Sequence, residues 1–355
     1  MSKQSPLWIT EAEVVHMMDM NEAIKALEKG LLAEAAGEAS NMVKTHVAWG
    51  NGSTLHAIGA TFPRAGFVGT KTWAHTEGGA TPLLILFDSE TGALKAIIEA
   101  FALGQMRTAS ASGVATEHLA AEDAHEFAII GTGKQAITQV AAVVAVRPIK
   151  HVRVFGRNEE RREQFAARVR KEFELEVTAA RNVAEAVEGV EVITLVTRAT
   201  EPILNAEMVV KGAHINAVGA IVPSRAEVSG DTIARCTQVV VDSLPQAQKL
   251  SRELRDFFGP PEDESWKRVR SLAEIVASEQ SRSPDDDLTL FKSLGMGISD
   301  LALGIELYQK ALALKLGREF AQPQRVAPRL RARGGNSYQA NEEDNEDGRT
   351  GIQIH

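Results

Sequence analysis

The sequence predicts an α/β protein: a Rossmann-type, doubly wound parallel sheet joined to a discontinuous α+β domain. Three observations carry this. The run Phe127-Ala-Ile-Ile-Gly131-Thr132-Gly133-Lys134-Gln135-Ala136 is apolar, breaks into closely spaced glycines and then continues apolar through Val144, as a strand, a tight turn and a helix do. Strand-like and helix-like runs alternate after it, which implies parallel strands with crossover helices. Short β-like runs joined by turn chemistry come before it, as in an antiparallel region.

Length and composition agree. At 355 residues the chain has room for two cores, taking about 100 to 200 residues per domain. It is 44% hydrophobic and 24% charged, with a net charge of -8, so it lacks the basic footprint of a nucleic-acid binder. The single cysteine, Cys236, excludes an intramolecular disulfide framework and fits a reducing compartment. No run approaches the ~18 to 20 apolar residues of a membrane span, and no signal-peptide core is visible. A soluble, cytoplasmic protein is expected, without membrane or nucleic-acid partners.

In chain order, Thr10-Glu-Ala-Glu13 is a capping-box pattern and Asn21 a second cap candidate, so the chain is expected to open with helices. Strands are expected at Thr54 to Thr61, Gly66 to His75 and Pro82 to Phe87, with the turn Asp88-Ser-Glu-Thr-Gly92 reversing into Ala93-Leu-Lys-Ala-Ile-Ile. The small-residue stretch from Leu103 to Thr116 reads as a closely packed helix leading to the fingerprint. Strands are then expected at Val152 to Phe155, Val190 to Val196, Ala213 to Val218 and Val239 to Asp242, with a helix from Glu159 to Phe173. Asp300 to Leu316 reads as a closing helix that returns to the first region. The expected division is 1–118 with 300–321 as one domain, 119–299 as the dinucleotide-binding domain, and 322–355 as a disordered tail, with Arg325, Arg329, Arg331 and Arg333 followed by an acidic run.

The candidate chemistry begins at the G-x-G-x-x-A spacing, the dinucleotide fingerprint. Gly131 permits the turn, Gly133 lets backbone approach a pyrophosphate, and Ala136 lets helix and strand pack closely. The helix N-terminus, with Thr132, Lys134 and Gln135, then faces the phosphates. Where an NAD site usually places a carboxylate, the second strand is followed by Gly156-Arg157-Asn158. An arginine there can take a 2'-phosphate, which favours NADP(H), with NAD(H) as the alternative. Ligands of such sheets sit at the carboxyl ends of strands, where Thr197, Val218 and Gly219 fall. Lys71, in an apolar run beside Trp73 and His75, and Arg107, among small residues, need either a partner or a ligand. Two cations beside a nucleotide domain suit a small carboxylate-bearing substrate.

Taken together, Gly-Thr-Lys71-Thr, Asp88-Ser-Glu-Thr-Gly92, Met106-Arg107-Thr108-Ala109, the fingerprint, Thr197-Arg-Ala-Thr-Glu-Pro, Asn216-Ala-Val-Gly219-Ala and Phe291-Lys-Ser-Leu-Gly-Met-Gly-Ile-Ser-Asp300 resemble the ornithine cyclodeaminase and mu-crystallin family, from about Ile9 to Leu316. The resemblance implies a homodimer joined through the non-Rossmann domain, with the active site between domains. It implies that Lys71 and Arg107 hold the substrate carboxylate, Lys71 lying close to the reacting carbon, and that Lys44 stands where the family carries a further arginine. It adds Thr108, and also Ser293, Gly295 and Gly297, to the cofactor side. Members that deaminate ornithine resemble the segment Gly219-Ala220-Ile221-Val222-Pro223 but carry an acid after Gly-Ala; Ile221 stands there instead. Isoleucine can neither accept a proton nor orient water. The expected activity is therefore NAD(P)H-dependent reduction of a small imino acid (a ketimine) to an L-amino acid. The alternatives are a cyclodeaminase recruiting another acid such as Glu227, an alanine-type amino acid dehydrogenase, and a non-catalytic, NADP-regulated small-molecule binding protein. No carboxylate between Thr45 and Thr76 can anchor a distal amine, Glu77 being the first candidate, and Trp49, Trp73 and His75 suggest a partly aromatic pocket wall.

Overall fold

The computed structural model describes residues 5–278 and 282–330. Residues up to Gln322 form one compact unit. Positions 323–330 are exposed and carry neither helix nor strand, and the rest of the expected tail, 331–355, lies outside the described residues.

The first part of the chain comprises β1 (Leu7–Ile9), α1 (Glu11–Met17), α2 (Met20–Ala35), β2 (Ser40–Asn41), β3 (Thr45–Trp49), β4 (Ser53–Phe62), β5 (Phe67–Thr76), β6 (Gly79–Ala80), β7 (Leu83–Asp88), β8 (Leu94–Glu99) and α3 (Phe101–Leu119). There follow β9 (Glu126–Ile130), α4 (Ala136–Val146), β10 (His151–Phe155), α5 (Glu159–Phe173), β11 (Glu176–Ala179), α6 (Val183–Val187), β12 (Val192–Leu195), β13 (His214–Ala217), α7 (Gly230–Arg235), β14 (Cys236–Val241), α8 (Leu244–Leu250), α9 (Arg252–Phe258), β15 (Val269–Ser271), α10 (Leu272–Val276) and β16 (Leu288–Lys292). Last come α11 (Gly297–Leu314) and β17 (Arg318–Glu319).

The first sheet has nine strands, with β17, β1, β8, β7, β5, β4 and β2 in order, β3 on β4 and β6 on β5. It is antiparallel except where β1 joins β8. One face packs on α2, α3 and α11 through Leu84, Leu86, Ile98, Leu27, Leu103 and Leu301, all fully buried. At the hairpin between β7 and β8, Asp88 Oδ1 accepts from Thr91 N and Thr91 Oγ1, each at 2.8 Å, and Gly92 adopts φ +69°. That is the turn the sequence predicts.

The second sheet is wholly parallel, in the order β11, β10, β9, β12, β13, β16, β14, β15. The order runs outward in both directions from β9, as a doubly wound sheet requires. Strands β12, β13 and β16 are buried along their whole length, as expected when both faces are covered.

Several elements differ from the sequence reading. The first element among the described residues is β1 rather than a helix, because Leu7-Trp8-Ile9 finds the free edge of β8. The second helix is capped by Asp19 in a capping box with Glu22, not by Asn21, which lies one residue inside it. Strands β2, β3, β6, β11, β15, β16 and β17 have no counterpart among the expected elements; β16 inserts between β13 and β14. The closing helix begins at Gly297, three residues before Asp300. Among the described residues no helix is long and apolar enough to cross a membrane.

A buried polar knot ties the second sheet to α3. His214 contacts Thr289 Oγ1 at 2.9 Å and Asn216 Oδ1 at 3.1 Å; Asn216 donates to Thr116 Oγ1 at 2.9 Å, and Thr289 donates to the Leu119 carbonyl at 2.9 Å. Burial pushes the His214 imidazole down to about 3, with the charges of Arg282 and Arg147 acting the same way. Between the ordinary imidazole value and about 3, the unfolded chain therefore binds a proton that the folded chain refuses. Stability is lost as pH falls through this window, by up to ~1.4 kcal/mol per pH unit from this group. Urea midpoints from pH 7 to 4.5 should fall less steeply for His214→Asn than for the wild type; parallel slopes would remove His214 from the acid limb.

Candidate active site

The strand order switches direction between β9 and β12, and there the fingerprint sits. Gly131 adopts φ +118°, and a Cβ on it would lie 2.6 Å from the Val196 carbonyl oxygen at the end of β12. Only glycine fits. A Cβ on Gly133 would meet nothing within 4 Å, which leaves open space above the turn. Ala136 is buried at the start of α4, its N donating to the Gly133 carbonyl at 3.0 Å, and Gln135 gives that helix no side-chain cap. A glycine turn beneath open space, leading into an uncapped helix end at the switch point, fits the pyrophosphate of a dinucleotide.

At the end of β10, Gly156 is buried against Thr132: a Cβ there would lie 2.9 Å from Thr132 Oγ1. Arg157 and Asn158 follow, both exposed, and Lys134 is exposed on the turn. The Asn158 side chain caps α5 by accepting from Arg161 N at 2.9 Å, and Arg162 turns inward to the Gly156 carbonyl at 3.2 Å. Arg157 therefore stands at this strand end without an acidic residue beside it in sequence.

Lys71 and Arg107 converge on a carboxylate that the sequence reading does not single out. Lys71 on β5 is buried, and its Nζ donates to Asp300 Oδ1, in the first turn of α11. Arg107 Nε approaches the same oxygen at 3.3 Å. Asp300 is fully buried. Among the described residues, no hydrogen bond is made by either terminal nitrogen of Arg107, whose Nε is its nearest atom to Asp300. Burial pushes the Lys71 ammonium down to about 8; Arg107 adds to that shift and Asp300 opposes it. Lys44, half-buried just before β3, is pushed down by burial and then by Arg107, against the pull of Asp242 and Asp300. The three predicted substrate cations thus lie in one field.

Asp242, at the end of β14, backs this cluster. It accepts from Ser293 Oγ at 2.8 Å, Leu294 N at 2.9 Å and Gly295 N at 2.7 Å, while burial raises its pKa against these donors. The Ser293 hydroxyl is thereby committed to Asp242, and Thr108 Oγ1 to the Gly104 carbonyl of its own helix at 2.9 Å. Gly295 adopts φ +94°, and a Cβ on it would lie 3.2 Å from Arg107 Nη1. Gly297 serves packing: a Cβ there would lie 1.8 Å from the Gly59 carbonyl oxygen on β4. Of the expected aromatic wall, Trp73 shares its face with Lys71, whose Nζ lies 5.3 Å from the ring centroid. His75 is on that face but exposed. Trp49 pairs with Ser53 and so points to the opposite face, since side chains alternate along a strand.

The family model described as the ornithine cyclodeaminase/mu-crystallin family matches residues 5–315. The chain belongs to this family. Among relatives, a Δ1-pyrroline-2-carboxylate reductase of Bacillus cereus is 30% identical over 330 residues, covering 88% of this chain and 99% of that protein. The structure of the Thermococcus litoralis Δ1-pyrroline-2-carboxylate reductase in complex with NADH and L-proline has a TM-score of 0.81 at 28% identity, covering 88% of this chain and 100% of that one. An archaeal alanine dehydrogenase dimer with bound NAD has the same TM-score, 0.81, at 26% identity, covering 89% and 99%.

The alternative acid that a cyclodeaminase of this family could recruit here, Glu227, is already engaged. Its Oε1 accepts from Thr197 N and Oγ1, each at 2.7 Å, and its Oε2 from Gly219 N at 2.8 Å and Ala220 N at 3.0 Å. Its own N donates to Glu253 Oε2 at 2.8 Å, and Glu253 pairs with the fully buried Lys292 at 2.8 Å. Glu227 is fully buried and locks the ends of β12 and β13 together, with Val218 buried between them. A carboxylate that takes four donors fastens these loops together. Thr197 and Gly219 owe their positions to it. Glu227→Ala would leave several buried donors unmatched and should cost at least ~3 kcal/mol in denaturant unfolding. An unchanged midpoint would show that water replaces the carboxylate.

Proposed function

We propose that this chain is a nicotinamide-dependent oxidoreductase that reduces the C=N bond of a small imino acid to an L-amino acid. The observation that supports this above all is the buried Lys71, Arg107 and Asp300 cluster combined with Ile221 where a deaminating relative carries an acid. Similarity to reductases whose names specify Δ1-pyrroline-2-carboxylate points the same way.

In this reading the free terminal nitrogens of Arg107, with Lys44, hold the substrate carboxylate by charge-assisted bonds. Lys71 Nζ, steered by Asp300, gives its proton to the imine nitrogen as that atom gains electron density. Gly131, Gly133 and the start of α4 would hold the dinucleotide, whose nicotinamide would supply the hydride for the imine carbon. With that hydride on carbon and the Lys71 proton on nitrogen, the C=N bond would become CH–NH. Burial of Lys71 serves this role because it brings the ammonium near the working pH, where a general acid is most effective. The archaeal alanine dehydrogenase supports a second reading of the same chemistry, in which the imine forms in the site from a 2-oxo acid and ammonia.

Arg157, without an acid at the end of β10, supports a preference for NADPH. The exposed apolar residues Val43, Val47, Trp49 and Leu55, on or beside the outer face of the first sheet, support a homodimer that covers it. Sedimentation showing a micromolar monomer would count against the dimer.

The decisive assay offers cyclic imino acids, and 2-oxo acids paired with amines, and follows NADPH absorbance. Δ1-Pyrroline-2-carboxylate should be consumed, while ornithine with oxidised cofactor should yield proline and ammonia only at background. Stoichiometric proline would restore the cyclodeaminase reading, and an inert panel would favour a binding protein. The same assay should show NADPH used better than NADH, with Arg157→Asp reversing the order. Equal use of both by the wild type would sink that preference.

Because Lys71 must carry its proton, reductive kcat/KM should fall as pH rises through about 8. Asp300→Asn removes a charge that holds the proton on, so the falling limb should move to lower pH. A limb unmoved by this change would show that another group titrates.

A further inference from the structure

Beyond Lys71, strands β3, β4 and β5 carry a row of rings on its face. His46 lies opposite His56, and His56 opposite Trp73. The imidazoles are 5.5 Å apart at 23°, and His56 stacks on Trp73 at 4.7 Å and 12°. His56 contacts Thr54 Oγ1 at 2.8 Å, which fixes the middle ring. Burial pushes the His56 imidazole down to about 4, and the charges of Lys44, His46 and His75 act the same way, so it is neutral at physiological pH. Trp73 and His56 are half-buried and His46 is exposed, so the row runs from the reacting lysine out to the surface.

The charges around this row reject a second cation. Lys71 lies over Trp73 and the charge of Lys44 acts on His56, while Asp300 Oδ1 is already shared between Lys71 and Arg107. A substrate with a distal ammonium would meet like charge, whereas an aryl group would meet the edges of the stacked rings, an edge-to-face arrangement that aromatic pairs favour.

We propose that the Trp73, His56 and His46 stack is the side-chain subsite, and that the chain prefers imino acids carrying an aromatic group over small aliphatic ones. This rests on the imine-reductase reading. The substrates would be imines of aryl-substituted 2-oxo acids, reduced by NADPH with hydride to carbon and a proton to nitrogen.

The test compares phenylpyruvate with pyruvate, each mixed with methylamine, and measures the N-methylated amino acid formed with NADPH. The wild-type kcat/KM ratio should favour the aryl imine by about tenfold or more, as the burial of a phenyl-sized group implies. Trp73→Ala should bring the ratio close to one, and Trp73→Phe should keep it. A wild-type ratio near one overturns the proposal, whatever the variants do. So does a Trp73→Ala enzyme slowed equally on both imines, because Trp73 would then merely support Lys71. If Δ1-pyrroline-2-carboxylate is reduced and the aryl imine is not, the subsite fails alone. If no imine is reduced, the underlying activity fails with it.

Discussion

The carboxylate of Asp300 lies fully buried between the ammonium of Lys71 and the guanidinium of Arg107. Two cations brought this close, one of them out of water, would cost several kcal/mol without it. Its placement follows from glycine packing. Gly297 starts α11 against the backbone of Gly59, a contact no larger residue permits. Asn41 fastens the same helix end by accepting from Ile298 N at 2.9 Å, while donating to Glu34 at 2.7 Å. The first turn of α11 then presents Asp300 to β5.

The dinucleotide side is held by the same device at a different place. Glu227 gathers four donors from the ends of β12 and β13, and Asp242 gathers three from the segment after β16. In each case a buried acid replaces the water that loop backbone would otherwise need. Loops at the carboxyl ends of the parallel strands are thus stiffened without regular structure, and the side chains they carry are held in register with the first sheet. Behind them Glu34 is raised to about 7, chiefly by burial, with the bond from Asn41 opposing the shift and the charge of Asp242 adding to it.

This explains which site residues can be read from the chain. Gly131, Gly133 and Ala136 are recognisable because their constraint is local: a turn and a close approach occur within a few residues. Lys71 and Arg107 stand out because a charge in an apolar run has no local solution. Asp300, Asp242 and Glu227 carry no such mark. An acid in the first turn of a helix, at a strand end or in a loop is ordinary on a surface, and only burial shows it to be a fastening. Thr108 and Ser293 are expected on the cofactor side, and each hydroxyl also donates a bond within the protein, to the Gly104 carbonyl and to Asp242.

By itself, then, the sequence determined the parallel α/β class, the glycine turn between β9 and α4, and the standing of Lys71 and Arg107 as charges in apolar surroundings, since each depends on residue type and short spacing. The tertiary structure decided the rest. It alone set β16 between β13 and β14, turned Trp73 toward Lys71 and Trp49 away, and chose which acids are structural. The physical reason is that strand order, facing and desolvation are properties of contacts made between distant segments, and spacing along the chain does not encode them.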